Sequence, residues 1–302
     1  MYEQFFGLRE KPFSILPDPR FLFFSRHHQI AYAMLEYGIV NQAGFTIVTG
    51  AIGSGKTTLV RKLVDNLKGD VVLAVINNTS QTLGGLLEWI MMAFQQPFED
   101  RAYPRLFMDF QNFLREVHAK GKRAVLVIDE AQNLSPAVLE ELRMLSNANV
   151  DSMMLQLILV GQPELRDILR APRLLQFAQR VSSDYHLQPL SLKDVIAYVD
   201  RRIMVAGGQP GLFTRSAKIL MGAAADGVPR TINIIADRCL VYAFGANKNI
   251  VAKNIARNVI ADMQQYGITL PATLGKAPPQ GIVNLTNPKD VSGWHMGAIT
   301  ET

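Results

Sequence analysis

Cysteine is nearly absent from these 302 residues: Cys239 stands alone, which excludes an internal disulfide framework. Its apolar helical surroundings point to a buried core residue with no redox role. Long apolar runs are missing as well. No stretch reaches the roughly eighteen consecutive apolar residues that a membrane helix needs, and no basic region followed by an apolar segment opens the chain. A cytoplasmic protein is expected, with peripheral attachment to the inner membrane as an option. Charged residues make up 19% against 48% hydrophobic, which excludes a disordered chain. The mean hydropathy of +0.10 leaves room for apolar surface that a partner or self-association covers. A net charge of +5 and a pI near 9.3 suit an anionic partner such as nucleic acid without requiring one.

What is present organises around Gly50-Ala51-Ile52-Gly53-Ser54-Gly55-Lys56-Thr57, which fits the phosphate-loop pattern G-x-x-x-x-G-K-[ST] at every fixed position. A short β-branched run at 45–48 precedes it, and apolar residues at helical spacing follow it over 58–64. Glycines let the backbone curl until several N–H groups converge, and the helix N-terminus adds its own donors and dipole. Lys56 then suits the β- and γ-phosphates of ATP, and the Thr57 hydroxyl suits Mg²⁺. Gly50, Ala51, Ile52, Gly53, Ser54, Gly55 and Thr58 complete the expected nucleotide-binding set.

Residues 1–34 carry Phe5, Phe6, Phe13, Phe21, Phe23 and Phe24 among Pro12, Pro17 and Pro19, too broken for a long helix and too aromatic for a solvated tail. Either they stack on a nucleotide base or they strap the core. A helix is expected over 32–37. Beyond the loop, continuous apolar runs at 71–76, 123–128 and 155–161 read as strands covered on both faces, separated by helical patterns at 83–94, 104–120 and after the Ser135-Pro136 cap. Strands alternating with helices make an α/β fold with a parallel sheet. Asp129 and Glu130 end the second of these runs. Beside a phosphate loop, Asp129 can hold the Mg²⁺ shell and Glu130 can polarise an attacking water. Lys56, Asn77, Asp129, Glu130 and Gln162 all fall at strand carboxyl ends, where such sheets bind ligands. From 191 onward only helical patterns remain, at 192–205, 214–225, 230–244 and 252–266, and 267–302 reads as a flexible tail. The expected division is a strap (1–34), a nucleotide-binding domain (35–190), a helical lid (191–266) and that tail.

Several motifs together resemble one family: Tyr2-Glu3-Gln4-Phe5-Phe6-Gly7-Leu8, Pro12-Phe13, Pro17-Asp18-Pro19, His28, Tyr37-Gly38, Asp129-Glu130-Ala131-Gln132, Leu142-Arg143-Met144-Leu145-Ser146-Asn147, Gly161-Gln162-Pro163-Glu164-Leu165, Gln179-Arg180-Val181 and Gly227-Val228-Pro229-Arg230-Thr231-Ile232-Asn233. They resemble the ExeA/GspA-like AAA+ ATPases over about residues 1–266. Relatives serve secretion, exopolysaccharide loci and pilus biogenesis, with transposition ATPases more distant. The resemblance implies a three-layer AAA+ P-loop domain followed by a small all-α lid, in a homo-oligomeric ring or helical filament. It further implies that Gln162 is similar to sensor 1, on a strand between those bearing Lys56 and Asp129. Arg180 is similar to an arginine finger acting on a neighbour's nucleotide, with Arg170 and Arg173 as rivals. Arg230 resembles sensor 2, and Asn77 resembles the residue that restrains the catalytic glutamate. Secretion members usually continue into a transmembrane helix and a peptidoglycan-binding domain; their lack here is expected to mean a soluble, ATPase-only member.

Two functions follow. The favoured one is an ATP hydrolase that assembles or remodels a secretion, pilus or exopolysaccharide apparatus, with a client protein as partner. The alternative is an ATP-dependent filament on duplex DNA, for which Arg201, Arg202, Arg215, Lys218, Lys248, Lys253 and Arg257 supply positive charge. A degenerate scaffold is disfavoured, because Lys56, Thr57, Asp129 and Glu130 are all in place.

Overall fold

The computed structural model describes residues 1–266 apart from 17, 42, 67–68, 70, 78–84 and 147–153. The expected tail, Asn147 and the first residues of the 83–94 helix lie outside the described residues. Five strands form one parallel sheet in the order β2-β3-β4-β1-β5: β1 (Phe45–Gly50), β2 (Val71–Ile76), β3 (Arg123–Ile128), β4 (Leu155–Gly161) and β5 (Val181–Leu187). Helices α1 (Arg26–Val40) and α2 (Lys56–Asn66) cover one face. The other carries α3 (Leu86–Ala93), α4 (Tyr103–Ala119), α5 (Pro136–Ser146), α6 (Glu164–Leu169) and the short α7 (Leu175–Ala178).

The apolar runs explain this layering. Along β3, Ala124, Leu126 and Ile128 enter one core while Val125 and Val127 enter the other, and β4 splits in the same way with Leu155, Leu157 and Leu159 against Ile158 and Val160. A strand buried on both faces has no polar side to show, so alternation disappears from its sequence. Gln162 follows β4, which does lie between the strands leading to Lys56 and to Asp129.

Two elements depart from sequence expectation. The first helix starts at Arg26, not near residue 32, because Ser25 caps it by accepting the His28 N–H. A fifth strand, β5, escapes an apolar-run search, because it pairs only with β1 at the sheet edge and carries Ser182, Asp184 and His186 among its residues.

The remaining helices, α8 (Leu192–Val205), α9 (Arg215–Ala224), α10 (Pro229–Gly245) and α11 (Lys253–Tyr266), share a third core. Tyr2, Leu8, Phe13 and Phe21 of the N-terminal segment are buried in it. Phe13 meets Phe213 edge-on at 5.7 Å, Phe5 meets Phe244 at 5.4 Å and Phe23 meets Tyr198 at 5.9 Å. A fully buried aromatic contributes about 1.5–3 kcal/mol, so Phe13 is committed to the helical region, and for it the open choice between base stacking and strapping goes to strapping. Arg202 and Lys218, counted above as surface charge, are instead buried, Lys218 against Asp200. Among the described residues no helix is long and apolar enough to cross a membrane.

Candidate nucleotide site

Strand β1 delivers the glycine loop directly onto α2. Gly53 and Gly55 have φ of +76° and +99°, a region that L side chains rarely enter, and a Cβ on Gly53 would sit 2.4 Å from the Cβ of Arg230. Glycine is therefore required there twice over, by conformation and by the closeness of α10. The Arg230 N–H donates to the Gly53 carbonyl at 3.2 Å, so the first turn of α10 is fastened to the loop. The Arg230 side chain stays exposed and lines the cavity.

Lys56 is buried, and its Nζ donates back to the carbonyls of Gly50 (2.8 Å) and Ala51 (3.0 Å). Desolvation pulls its pKa down, opposed by the charges of Glu130 and Asp129. Beside it the Ser54 hydroxyl is buried without a hydrogen-bond partner. A buried polar atom left unpaired is costly unless a ligand supplies the partner, and a glycine loop with a cation and an orphan hydroxyl fits a polyphosphate. The two groups expected to hold metal also meet: Thr57 Oγ1 donates to Asp129 Oδ2 at 2.6 Å. A hydroxyl and a carboxylate oxygen are hard donors of the type Mg²⁺ prefers.

Glu130 adopts the left-handed conformation, φ 53°, uncommon for a non-glycine residue and typical of functional turns. Its N–H donates to Asp129 Oδ1 at 2.9 Å. Its carboxylate oxygen Oε2 accepts from Gln132 Nε2 at 2.7 Å and from Gln162 Nε2 at 3.3 Å. Gln132 also accepts the Gln162 N–H on its Oε1 at 2.9 Å. One amide thus ties the carboxylate to the end of β4. Gly161 permits this, since a Cβ there would lie 3.0 Å from that Oε1. Asn77 is exposed just past β2, and among the described residues the carboxylate is held by Gln132 and Gln162, not by Asn77.

His28 supports the loop from behind. Its Nε2 lies 3.1 Å from the Ser54 carbonyl and its Nδ1 2.7 Å from Ser25 Oγ. A carbonyl only accepts, so Nε2 carries the proton and Nδ1 accepts the Ser25 hydroxyl. Burial holds the ring below its ordinary 6.5. The unfolded chain then takes up a proton that the folded one refuses, so this stabilisation is complete above the unfolded pKa and is lost as the pH falls towards the folded one, by about 1.4 kcal/mol per unit of separation. The thermal midpoint should fall more steeply from about pH 7 to about pH 5 in the parent than in His28→Gln; parallel slopes would contradict this account.

Arg180 is not gathered with these groups. It precedes Val181, which pairs with Phe45 at the start of β1, so it lies about 17 Å along the strands from the loop. Its Nη1 donates to Ser146 Oγ at 2.9 Å and to the Arg143 carbonyl at 3.3 Å. Arg170 and Arg173 are exposed on the preceding turns. A cavity of about 230 Å³ is lined by the glycine loop with Lys56, Thr57, Glu130 and Arg230, and by Ile15, Leu16, Tyr198 and Arg202.

Comparison with known proteins agrees with this geometry. The family model for an AAA domain matches residues 40–169. "General secretion pathway protein A" of Aeromonas hydrophila is 46% identical over 246 residues, 81% of this chain. The chain belongs to the GspA-like AAA+ proteins. It spans 45% of that relative's own length. Among solved structures, the Cdc6p of Pyrobaculum aerophilum has a TM-score of 0.61 at 17% identity, covering 85% of this chain and 75% of that one. A Drosophila ORC bound to DNA has a TM-score of 0.60 at 19% identity, covering 79% and 60%. At such identities the likeness is one of fold.

Sequence reading gives no role to Gln132 or His28 of this GspA-like chain, although both occur in or near the matching motifs. The signal for Gln132 is its spacing: the 3₁₀ turn Ala131–Asn133 returns the second residue after Glu130 to the carboxylate. His28 has no local signal, because its partner Ser54 is 26 residues away.

Proposed function

We propose that this chain is a Mg²⁺-dependent ATP hydrolase whose turnover drives assembly or remodelling of a secretion apparatus. The observation that carries the reading is the contact of Thr57 with Asp129 beside Lys56, with Glu130 held at the same strand ends. Lys56 leaves the loop carbonyls for the β- and γ-phosphates, exchanging neutral acceptors for charged ones. Glu130 orients and deprotonates the attacking water, Gln162 fixes that water or the γ-phosphate, and Arg230 reaches the phosphates from α10. Thr57 and Asp129 would hold Mg²⁺, which would supply neutralisation of the charge on the phosphates. Arg180 completes the site of the next subunit, so the active form is a homo-oligomer in the cytoplasm, where ATP is supplied.

The secretion client rests on the likeness to the Aeromonas protein. The burial of Arg202 and Lys218 removes two of the charges on which a duplex-DNA reading leaned. Lys56→Ala tests the core of the proposal. It removes the loop's side-chain cation, and hydrogen bonds to charged groups contribute about 1.5–3 kcal/mol, so ATP affinity should fall by about 10²-fold and turnover with it. Parent-like nucleotide binding in that variant, measured by calorimetry, would refute the assignment.

A further inference from the structure

Arg202 is a buried guanidinium on α8, 7% exposed, in the wall of the nucleotide cavity. Two of its donors reach the N-terminal strap and a third reaches Tyr198, one turn earlier on α8. Nε donates to the Pro12 carbonyl at 2.5 Å, Nη2 to the Ser14 carbonyl at 3.1 Å and Nη1 to the Tyr198 hydroxyl at 3.1 Å. The Tyr198 hydroxyl in turn donates to Asn233 Oδ1 at 2.7 Å. Phe21 stacks beneath the guanidinium, 4.7 Å from Cζ to the ring centroid. A planar fork that satisfies two carbonyls and a hydroxyl while resting on a ring is work that arginine does and lysine cannot.

The clamped segment ends in two residues out of place for their chemistry. Ile15 and Leu16 are 55% and 74% exposed and both line the cavity, whereas Phe13 immediately before them is fully buried in the helical core. Exposed apolar side chains lining the same cavity as the glycine loop want a flat apolar partner, and Leu22, Ile52 and Pro229 extend that apolar part of the lining. The base of a bound nucleotide is that partner. The geometry points to Arg202 as a positioning residue that fastens the strap to α8 and α10 so that Ile15 and Leu16 form the base-facing wall, favouring a purine for its larger apolar face. The inference rests on the nucleotide reading above and adds to it where base selectivity comes from.

Because the two ends of the ligand are held by different elements, they can be separated experimentally. On the full chain, the affinities of ATP, CTP and inorganic tripolyphosphate are measured for the parent, Arg202→Ala, Arg202→Lys and the double variant Ile15→Ser/Leu16→Ser. In the parent ATP should bind more tightly than CTP and tripolyphosphate. Arg202→Ala and the double variant should each lose about tenfold for ATP, with tripolyphosphate changed by less than about twofold. Arg202→Lys should not rescue the loss. The double variant alters exposed positions, so its thermal midpoint should match the parent's, and it tests the wall even if Arg202→Ala folds poorly. A double variant that keeps the parent's preference for ATP, or an Arg202→Ala that loses ATP and tripolyphosphate in equal measure, overturns the inference. A parent that binds tripolyphosphate with no preference for ATP overturns the base-facing wall alone. A parent that binds neither overturns the nucleotide reading and this inference with it.

Discussion

Glu130→Gln should bind ATP as the parent does and lose about 10²–10⁴-fold in turnover, the range that a positioned general base supplies. The separation follows from what the carboxylate touches. Its Oε2 accepts from the amides of Gln132 and Gln162, and a glutamine in its place presents one carbonyl oxygen that can accept both. The backbone contact from the Glu130 N–H to Asp129 is untouched, so the left-handed turn and the Thr57–Asp129 pair keep their places. What disappears is the ability to take a proton from water. On the proposed reading nucleotide affinity comes from the loop, Lys56, the α10 turn and the strap beside them, none of which changes. Calorimetric binding alongside steady-state phosphate release reads the two quantities independently. Turnover within about twofold of the parent would remove Glu130 from the role of base.

The parts of this fold legible in sequence are those where one local pattern has one cause. Strands β1, β3 and β4 are mostly apolar because both faces are buried, with Thr46, Thr49 and Gln156 as buried polar exceptions, and the glycine loop is legible because positive φ and close backbone approach exclude other residues. Helix α10 was expected over 230–244 and runs Pro229–Gly245, since Pro229 at its first position is a local start signal. Strand β5 has no such signature: one edge is unpaired and Ser182, Asp184 and His186 interrupt any run. The aromatic strap declared that it packs on something, but its partners lie far along the chain, Pro12 on Arg202 at a separation of 190 residues. The same long reach hid the burial of Arg202 and Lys218, whose residue type alone reads as surface charge. Gln132 was in plain view inside a motif, yet its function depends on where β4 ends relative to β3, and that is a property of the sheet.

Arg180→Ala should leave ATP affinity close to the parent's while cutting turnover by about 10³–10⁵-fold, the worth of an arginine finger. Within one chain Arg180 sits at the opposite end of the strands from the glycine loop and bonds to Ser146 and the Arg143 carbonyl, so it contributes nothing to binding in its own site. An exposed arginine on one face and a nucleotide cavity on another can meet only head to tail, a heterologous contact that closes as a ring or continues as a helix and does not form a two-fold dimer. Activity per subunit should therefore rise with protein concentration. Mixing supplies the sharper test. Arg180→Ala subunits keep Glu130 and Glu130→Gln subunits keep Arg180, so an interface that joins the cavity of the first to the finger of the second is complete although neither parent variant turns over. Recovered activity on mixing, absent from either variant alone, is the expected result. A mixture that co-assembles by light scattering yet stays inactive, with activity per subunit independent of concentration, would exclude Arg180 as the residue acting in trans. It would move the search to Arg173 and Arg170, both exposed on the turns just before it.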